Sequence, residues 1–374
     1  MSALTTLSSI ENWSYLFINV VWVLIFIMYL FGFGNWIQVY WWKADIKSKL
    51  TVLNDLANSA KSRTAEYMKK NKAKDSSKVL DRLIDFFAID PVNIEPTDII
   101  NRMRHIINIR ESRFKKTIEE SMPDSNERAR SIASTATEIA SALFFIYKYV
   151  RHLLLSGEKT KNWYLIMYLS MMMPQIMQIA NIYRKALDDF LDGVPVGDGA
   201  GPIVALKMSN FNKDWRDVDE DTVATESEYN GRKLILVKAK GPASTVGRPG
   251  EATEKLIRES IANGERVSLL ITVDAALKFE GEETGSIAEG AGAAIGDPGP
   301  EKIRFERIAT QYNIPLRAVV IKMGMDEAIM GMNKKILDGI DKAVERVKRI
   351  IEEESKPGET VFIAGIGNTA GVGQ

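Results

Sequence analysis

The residues whose types and spacing could support chemistry are concentrated late in the chain. Lys238-Ala239-Lys240-Gly241-Pro242-Ala243-Ser244-Thr245-Val246-Gly247-Arg248-Pro249-Gly250 follows an apolar, strand-like run and opens a helix-like one. Glycine lets backbone amides approach an anion, and a helix start favours negative charge. Lys238, Lys240 and Arg248 would neutralise phosphate or carboxylate, while Gly241, Ser244, Thr245 and Gly247 would supply amide and hydroxyl donors. That is the chemistry of a site for an anionic small molecule or a nucleotide. No Gly-Lys-Ser or Gly-Lys-Thr closes the stretch, so it is not a Walker A loop, and the alternative is an ordinary strand-to-helix connection.

A second stretch starts at Asp274 and runs to Glu301, with Glu280, Glu282, Glu283 and Glu289 along it. So long an insertion in a compact domain reads as a functional loop. Asp274 and Glu289 would be the ligands of a Mg²⁺ ion beside a bound phosphate, against the alternative of a solvated acidic face. Phosphoryl transfer or hydrolysis would then be the reaction class, although no nucleophile or general base stands out.

Two further glycine-rich stretches carry local likenesses. Gly365-Ile366-Gly367-Asn368 looks like the Gly-x-Gly-Asn opening of the hydrogenase-maturation peptidases, without the acidic pair that follows it there. Gly197-Asp198-Gly199-Ala200-Gly201-Pro202 resembles a turn of the isocitrate-type dehydrogenases but follows a helix rather than that turn's usual setting. Neither likeness assigns a role; the tail is expected to cover the carboxyl edge of a sheet or to reach a neighbouring subunit.

These stretches need a scaffold, and the surrounding pattern supplies one. Strand-type runs occur at 223–229, 233–237, 267–273, 317–323 and 360–364, with helix-type stretches at 250–263, 300–312 and 326–354. Asn230-Gly231 is a strong hairpin signal. The alternation predicts a mostly parallel, doubly wound sheet with one antiparallel edge hairpin, whose ligands sit at the carboxyl ends of the strands.

Upstream the character changes. Residues 12–42 carry no charge, enough to span a bilayer that needs about 20 residues as helix. Trp13 and Trp36, Trp41 and Trp42 bracket the run, and Lys43, Lys47 and Lys49 follow it, which puts the N-terminus outside and the bulk of the chain in the cytoplasm. Ile46, Leu50, Leu53, Ala57, Ala60, Thr64 and Tyr67 then form a seam suited to packing helices lengthwise, in an oligomer or on the chain's own domain. Glu95-Pro96-Thr97-Asp98 reads as a helix start. Residues 163–183 are again uncharged, but Pro174, Gln175 and five methionines suit a buried or subunit-interface helix better than a span.

The chain therefore reads as an α+β membrane protein: an N-terminal transmembrane helix over 1–42, a helical stalk or oligomerisation region over 43–191, and a C-terminal α/β domain over 192–374. Composition narrows its chemistry. With no cysteine, structural disulfides and thiolate metal sites are excluded. His105 and His152 are the two histidines, too few for a multi-histidine zinc site, and each reads as a surface or packing residue. Lys plus Arg and Asp plus Glu stand at 49 each, so no global basic field draws nucleic acid.

Taken together, the anchor, Asp90-Pro91-Val92-Asn93-Ile94-Glu95-Pro96-Thr97, Gly197 to Ala205, Lys240-Gly241-Pro242 and Glu289 to Gly296 resemble an uncharacterised archaeal, membrane-anchored family known only as a domain of unknown function. The resemblance implies an archaeal source and a cell membrane, and transfers no activity. The function expected is that of a membrane-anchored, single-pass homo-oligomer in contact with lipid, whose cytosolic module binds an anionic small molecule. The alternatives are a non-catalytic membrane scaffold and a channel or transporter component containing 163–183.

Overall fold

A computed structural model describes residues 17–23, 26, 33–87, 89, 98–211, 214–296 and 299–373. The N-terminal half is helical: α1 (Phe33–Lys70), α2 (Ser76–Ile84), α3 (Ile99–Ser121), α4 (Glu127–Thr160) and α5 (Trp163–Asp192). Much of the expected anchor, and the expected helix start at residues 90–97, lie outside the described residues. Within the anchor, residues 17–23 and 26 are helical, with Phe17, Trp22 and Phe26 exposed.

The single span expected from sequence gains two candidates. Both α4 and α5 are long and apolar enough to cross a membrane by length and composition. In α5 the helix continues through Pro174 to Asp192.

Packing divides the chain into two units, Met1–Asp55 with Phe145–Ile179, and Leu56–Phe144 with Ala180–Gln374. In the first unit, Glu158 of α4 accepts Lys47 at 2.9 Å and lies 3.8 Å from Lys43. In the second, Met68, Leu80, Leu83, Phe114, Ile118, Met122, Ala129 and Ala133 form a helical core drawn from α1 to α4. The seam along α1 is satisfied within the chain: Ile46, Leu53, Ala57, Ala60 and Thr64 are all buried there. The stripe that suggested oligomerisation therefore packs on the chain's own helices, because small residues at Ala57, Ala60 and Thr64 allow close approach.

The C-terminal half begins with a short 3₁₀ turn, Gly197–Gly199, and α6 (Ala200–Met208). It continues through β1 (Arg216–Asp217), β2 (Thr222–Tyr229), β3 (Arg232–Ala239), α7 (Pro249–Ala262), β4 (Val267–Leu277) and β5 (Ile287–Ala291). It ends with α8 (Pro300–Gln311), β6 (Leu316–Met323), α9 (Met325–Ile329), α10 (Lys334–Glu354) and β7 (Thr360–Gly365). The sheet runs β1-β2-β3-β7-β4-β6-β5. Strands β3, β7, β4 and β6 are mutually parallel, whereas β2 pairs antiparallel with β3 and with the short edge strand β1, and β5 pairs antiparallel with β6 at the other edge. The sheet is thus mixed, with antiparallel strands at both edges rather than at one.

Period-two alternation builds two cores. On one face Leu234, Leu236, Leu269, Ile271, Val273, Val319 and Ile363 meet α6 and the apolar stripe of α10. On the other, Ile235, Val237, Leu270, Phe362 and Ala364 meet Leu256 and Ile257 of α7 and Phe305 and Ile308 of α8. Asn230 and Gly231 join β2 to β3 with φ of 48° and 76°, the two left-handed residues that the predicted hairpin turn requires. The helix expected over 326–354 breaks into α9 and α10, where Asn333 caps α10 by accepting the Ile336 N–H at 3.0 Å.

Candidate functional site

The carboxyl edge of the parallel strands gathers three glycine-rich stretches. β7 ends at Gly365, and the chain continues as Ile366-Gly367-Asn368-Thr369-Ala370-Gly371-Val372-Gly373 across the end of the sheet. The start of α6 packs directly under it. A Cβ on Gly201 would overlap the carbonyl oxygens of Ile366 and Val273, and one on Gly367, at φ 133°, would overlap that of Asp198. Only glycine permits these approaches.

This packing brings two aspartates into one site. Asp198, partly buried in the 3₁₀ turn, accepts the Asn368 N–H at 2.8 Å. Asp274, 5% exposed near the end of β4, accepts the N–H of Ala275 at 2.7 Å. Burial, and secondarily the charge of Asp198, push the Asp274 carboxyl up to about 8, against the pull of the Ala275 and Gly296 N–H groups. Burial likewise raises Asp198, with the Asn368 N–H acting against it. The charge of Asp198 thus acts on Asp274, and carboxyls that interact in this way titrate together.

A hydroxyl chain reaches the same asparagine. Thr135 Oγ1 donates to Ser244 Oγ at 2.8 Å, and Ser244 Oγ donates to Asn368 Oδ1 at 3.3 Å. Asn368 is therefore held on both its backbone and side-chain groups, and like Asp198 it is partly buried.

In the structure the basic stretch directs its charged and polar groups to partners within the protein. Strand β3 extends to Ala239, so Lys238 lies in the sheet, fully buried, with Nζ 3.0 Å from Gly373 O and 4.8 Å from the centre of the Trp215 ring. Burial depresses its amine to about 8. Lys240 pairs with Asp217 at 3.0 Å, and Arg248 lies 3.7 Å from Glu111. The Gly247 N–H goes to Thr245 Oγ1 at 3.1 Å and the Arg248 N–H to Thr222 Oγ1 at 2.7 Å. At the start of α7, Glu301 takes the N–H groups of Gly250 (2.8 Å) and Glu251 (3.1 Å). The protein's own carboxylate thus occupies the helix terminus read from sequence as an anion site. Gly241 runs against Val372, and the Thr369 hydroxyl lies 2.8 Å from the carbonyls of both Lys240 and Ala243. The loop clamps the tail instead of opening a phosphate cradle.

The expected metal pair is not brought together. Val273 pairs with Val319, which pairs with Glu289, whereas Asp274 pairs with Val320. Paired residues share a face, so Asp274 and Glu289 point to opposite faces of the sheet. Glu289 instead meets Arg346 of α10 at 3.0 Å. Among the described residues no group of three metal-ligating side chains converges. The acidic insertion is partly structured, supplying β5 to the edge of β6.

Of the residues that the sequence proposes, Ser244 and Asp274 lie at this edge site, while Lys240, Arg248 and Glu289 are ion-paired apart from it. Sequence reasoning singled out the segments that hold Asp198 and Asn368 without joining them. Their glycine spacing was the signal, and their proximity was missing.

Residues 20–193 match the N-terminal domain of a protein family of unknown function, DUF1512, and residues 196–373 match the C-terminal domain of that family. No curated protein matches the chain. Matched by both domains in order along almost its whole length, the chain belongs to the DUF1512 family.

Proposed function

We propose that the C-terminal half carries a two-carboxyl acid–base site, Asp198 and Asp274, that binds a small polar ligand at the carboxyl edge and hydrolyses an acyl-type bond in it. The observation that carries this reading is the convergence of two aspartates from distant segments at the solvent-facing end of a parallel sheet, each with its ionised form disfavoured. Such a pair holds a proton at neutral pH. The protonated member donates to a carbonyl oxygen while the ionised member takes a proton from a water whose oxygen bonds to the carbonyl carbon; the bond to the leaving group then breaks as that group takes the second member's new proton, and the first member recovers its proton from the re-forming carbonyl. Asp198, the more exposed member, meets the ligand, and Asn368 keeps it oriented.

In this proposal the uncharged run 12–42 holds the module at a cell membrane, N-terminus outside, with the site on the cytoplasmic side. The basic loop is the tail's clamp and not the ligand site. A non-catalytic scaffold is the second reading, favoured by how completely that loop spends its polar groups inside the protein.

The test is turnover of a panel of amide and ester substrates by the purified full chain, beside Asp198→Asn, Asp274→Asn and the double variant. The acid–base reading expects each variant to lose activity by at least about a hundredfold, the range contributed by a positioned proton-transfer group. Activity that survives the double variant, or no turnover and no ligand-induced stabilisation in any screen, supports the scaffold.

A further inference from the structure

We propose that the turn between α4 and α5, residues 159–164, is a contact surface for anionic lipid headgroups, so that the protein touches the membrane at a second place beside its anchor. The proposal rests on the membrane reading above and concerns a separate part of the chain.

Lys159, Thr160, Lys161, Asn162, Trp163 and Tyr164 are six consecutive exposed residues. The rings of Trp163 and Tyr164 stack with centroids 3.5 Å apart, and the Tyr164 side chain remains 62% exposed. On the last turns of α4, Lys148, Arg151, His152 and Lys159 line one shallow groove with Leu155 and Ser156. The neighbouring carboxylate, Glu158, is matched by Lys47 and Lys43, and no acidic residue occurs from 159 to 187. The local field is therefore positive, and stacked aromatic rings with amphipathic edges stand in it.

The height of this turn is fixed by Glu158. Lys43 is the first charge after the uncharged run, two residues after the exposed Trp41, so it marks where the chain leaves the hydrocarbon. Glu158 holds Lys43 and Lys47, and Thr160 follows two residues later, about 3 Å along the axis at roughly 1.5 Å per residue. The turn thus lies within about one helical turn of the level at which Trp41 gives way to Lys43. Basic and aromatic side chains at that height match the headgroup layer of an anionic leaflet in both charge and polarity.

The cysteine-free chain permits a direct experiment. Full-length protein carrying Thr160→Cys is labelled with an environment-sensitive fluorophore and reconstituted in vesicles of phosphatidylcholine alone or with about a third phosphatidylserine. Quenching by a headgroup spin label is then compared with quenching by aqueous iodide. In anionic vesicles, lipid quenching is expected to rise at least about twofold and to fall back in high salt, which screens the attraction. Changing Lys159 and Lys161 to Gln should remove the rise. Equal iodide access in both vesicle types, or lipid quenching no greater than at a reporter on Glu353 of α10, overturns the proposal. A parallel Trp22→Cys reporter with an acyl-chain quencher separates the two readings. Quenching at position 22 without quenching at 160 rejects the turn contact alone, and no quenching at position 22 rejects the membrane reading and this contact with it.

Discussion

Asn368 donates its backbone N–H to the Asp198 carboxylate at 2.8 Å across a separation of 170 residues, joining two glycine-rich segments into one wall of a site. The bond opposes the burial that raises Asp198, so it favours the ionised form of the more exposed carboxyl. Asp274 lies behind with a carboxyl raised to about 8. Under the proposed acid–base function, this asymmetry gives the two members different steps, one holding the proton and the other releasing it.

Asp274 makes stability depend on pH in a stated direction. An unfolded Asp releases its proton near pH 4, whereas the folded chain keeps this one up to about 8. Between those values the folded state binds more protons, so the stabilisation present below pH 4 is lost as pH rises to 8. Asp274→Asn should remove that loss and raise the thermal midpoint at pH 8 while abolishing turnover. At about 1.4 kcal/mol per unit, the effect is on the order of several kcal/mol. A thermal-unfolding series from pH 4 to 9 on both proteins measures it, and a midpoint of the variant that falls with pH as steeply as in the parent would refute the assignment.

The tail should be held chiefly by Thr369, whose hydroxyl is buried among the carbonyls of Lys240, Ala243 and Thr245. Thr369→Val keeps the shape but removes the donor. We expect a loss of about 1–3 kcal/mol, the cost of leaving a buried acceptor unmatched, with Thr369→Ser recovering most of it. Limited proteolysis should release the last residues sooner in the valine variant. Equal cleavage in the two variants would place the clamp elsewhere.

Much of this domain could be read from the chain, for identifiable reasons. Strands β3, β4 and β7 are near-continuous apolar runs buried on both faces, and Asn230-Gly231 admits few turns other than the one found. β5 escaped notice because Ile287-Ala288-Glu289-Gly290-Ala291 pairs on one side only and is half exposed, so it has neither alternation nor apolarity. Lys238 read as a loop cation because a charge at the end of an apolar run usually marks the end of a strand. Burial beside Trp215 reverses that, and no local pattern announces it. The meeting of Asp198 with Asn368 depends on α6 packing under β7, a long-range event that spacing alone does not encode. Glu301 was visible only as a member of an acidic stretch, although its partners lie at the start of another helix.

Glu301 tests the corrected account of the basic loop. Glu301→Ala leaves the Gly250 and Glu251 N–H groups without their acceptor at the positive end of α7, at an expected cost of about 1–2 kcal/mol. The vacated terminus should then accept inorganic sulfate. Sulfate titration ought to raise the thermal midpoint of the variant more than that of the parent, following RT ln(1 + [L]/Kd). Equal shifts in the two proteins would show that Glu301 does not occupy an anion position.

Lys238 gives the opposite pH signature from Asp274. Its amine titrates near 10.4 when unfolded and about 8 when folded, so between those values the unfolded state binds more protons and stability rises with pH. Below pH 8 the charged amine is buried beside the Ala239 and Gly373 carbonyls and the face of Trp215. Lys238→Met keeps the packing of the stem and removes the charge, while costing about 1 kcal/mol for the lost hydrogen bond to Gly373 O. Because the desolvation removed exceeds the bond lost, the variant should be more stable than the parent at pH 7 and lose the rise between pH 8 and 10. Thermal midpoints of both proteins across that range decide the matter: a methionine variant that is less stable at pH 7 and keeps the alkaline rise would mean that the amine is matched by a charge the sheet edge does not display.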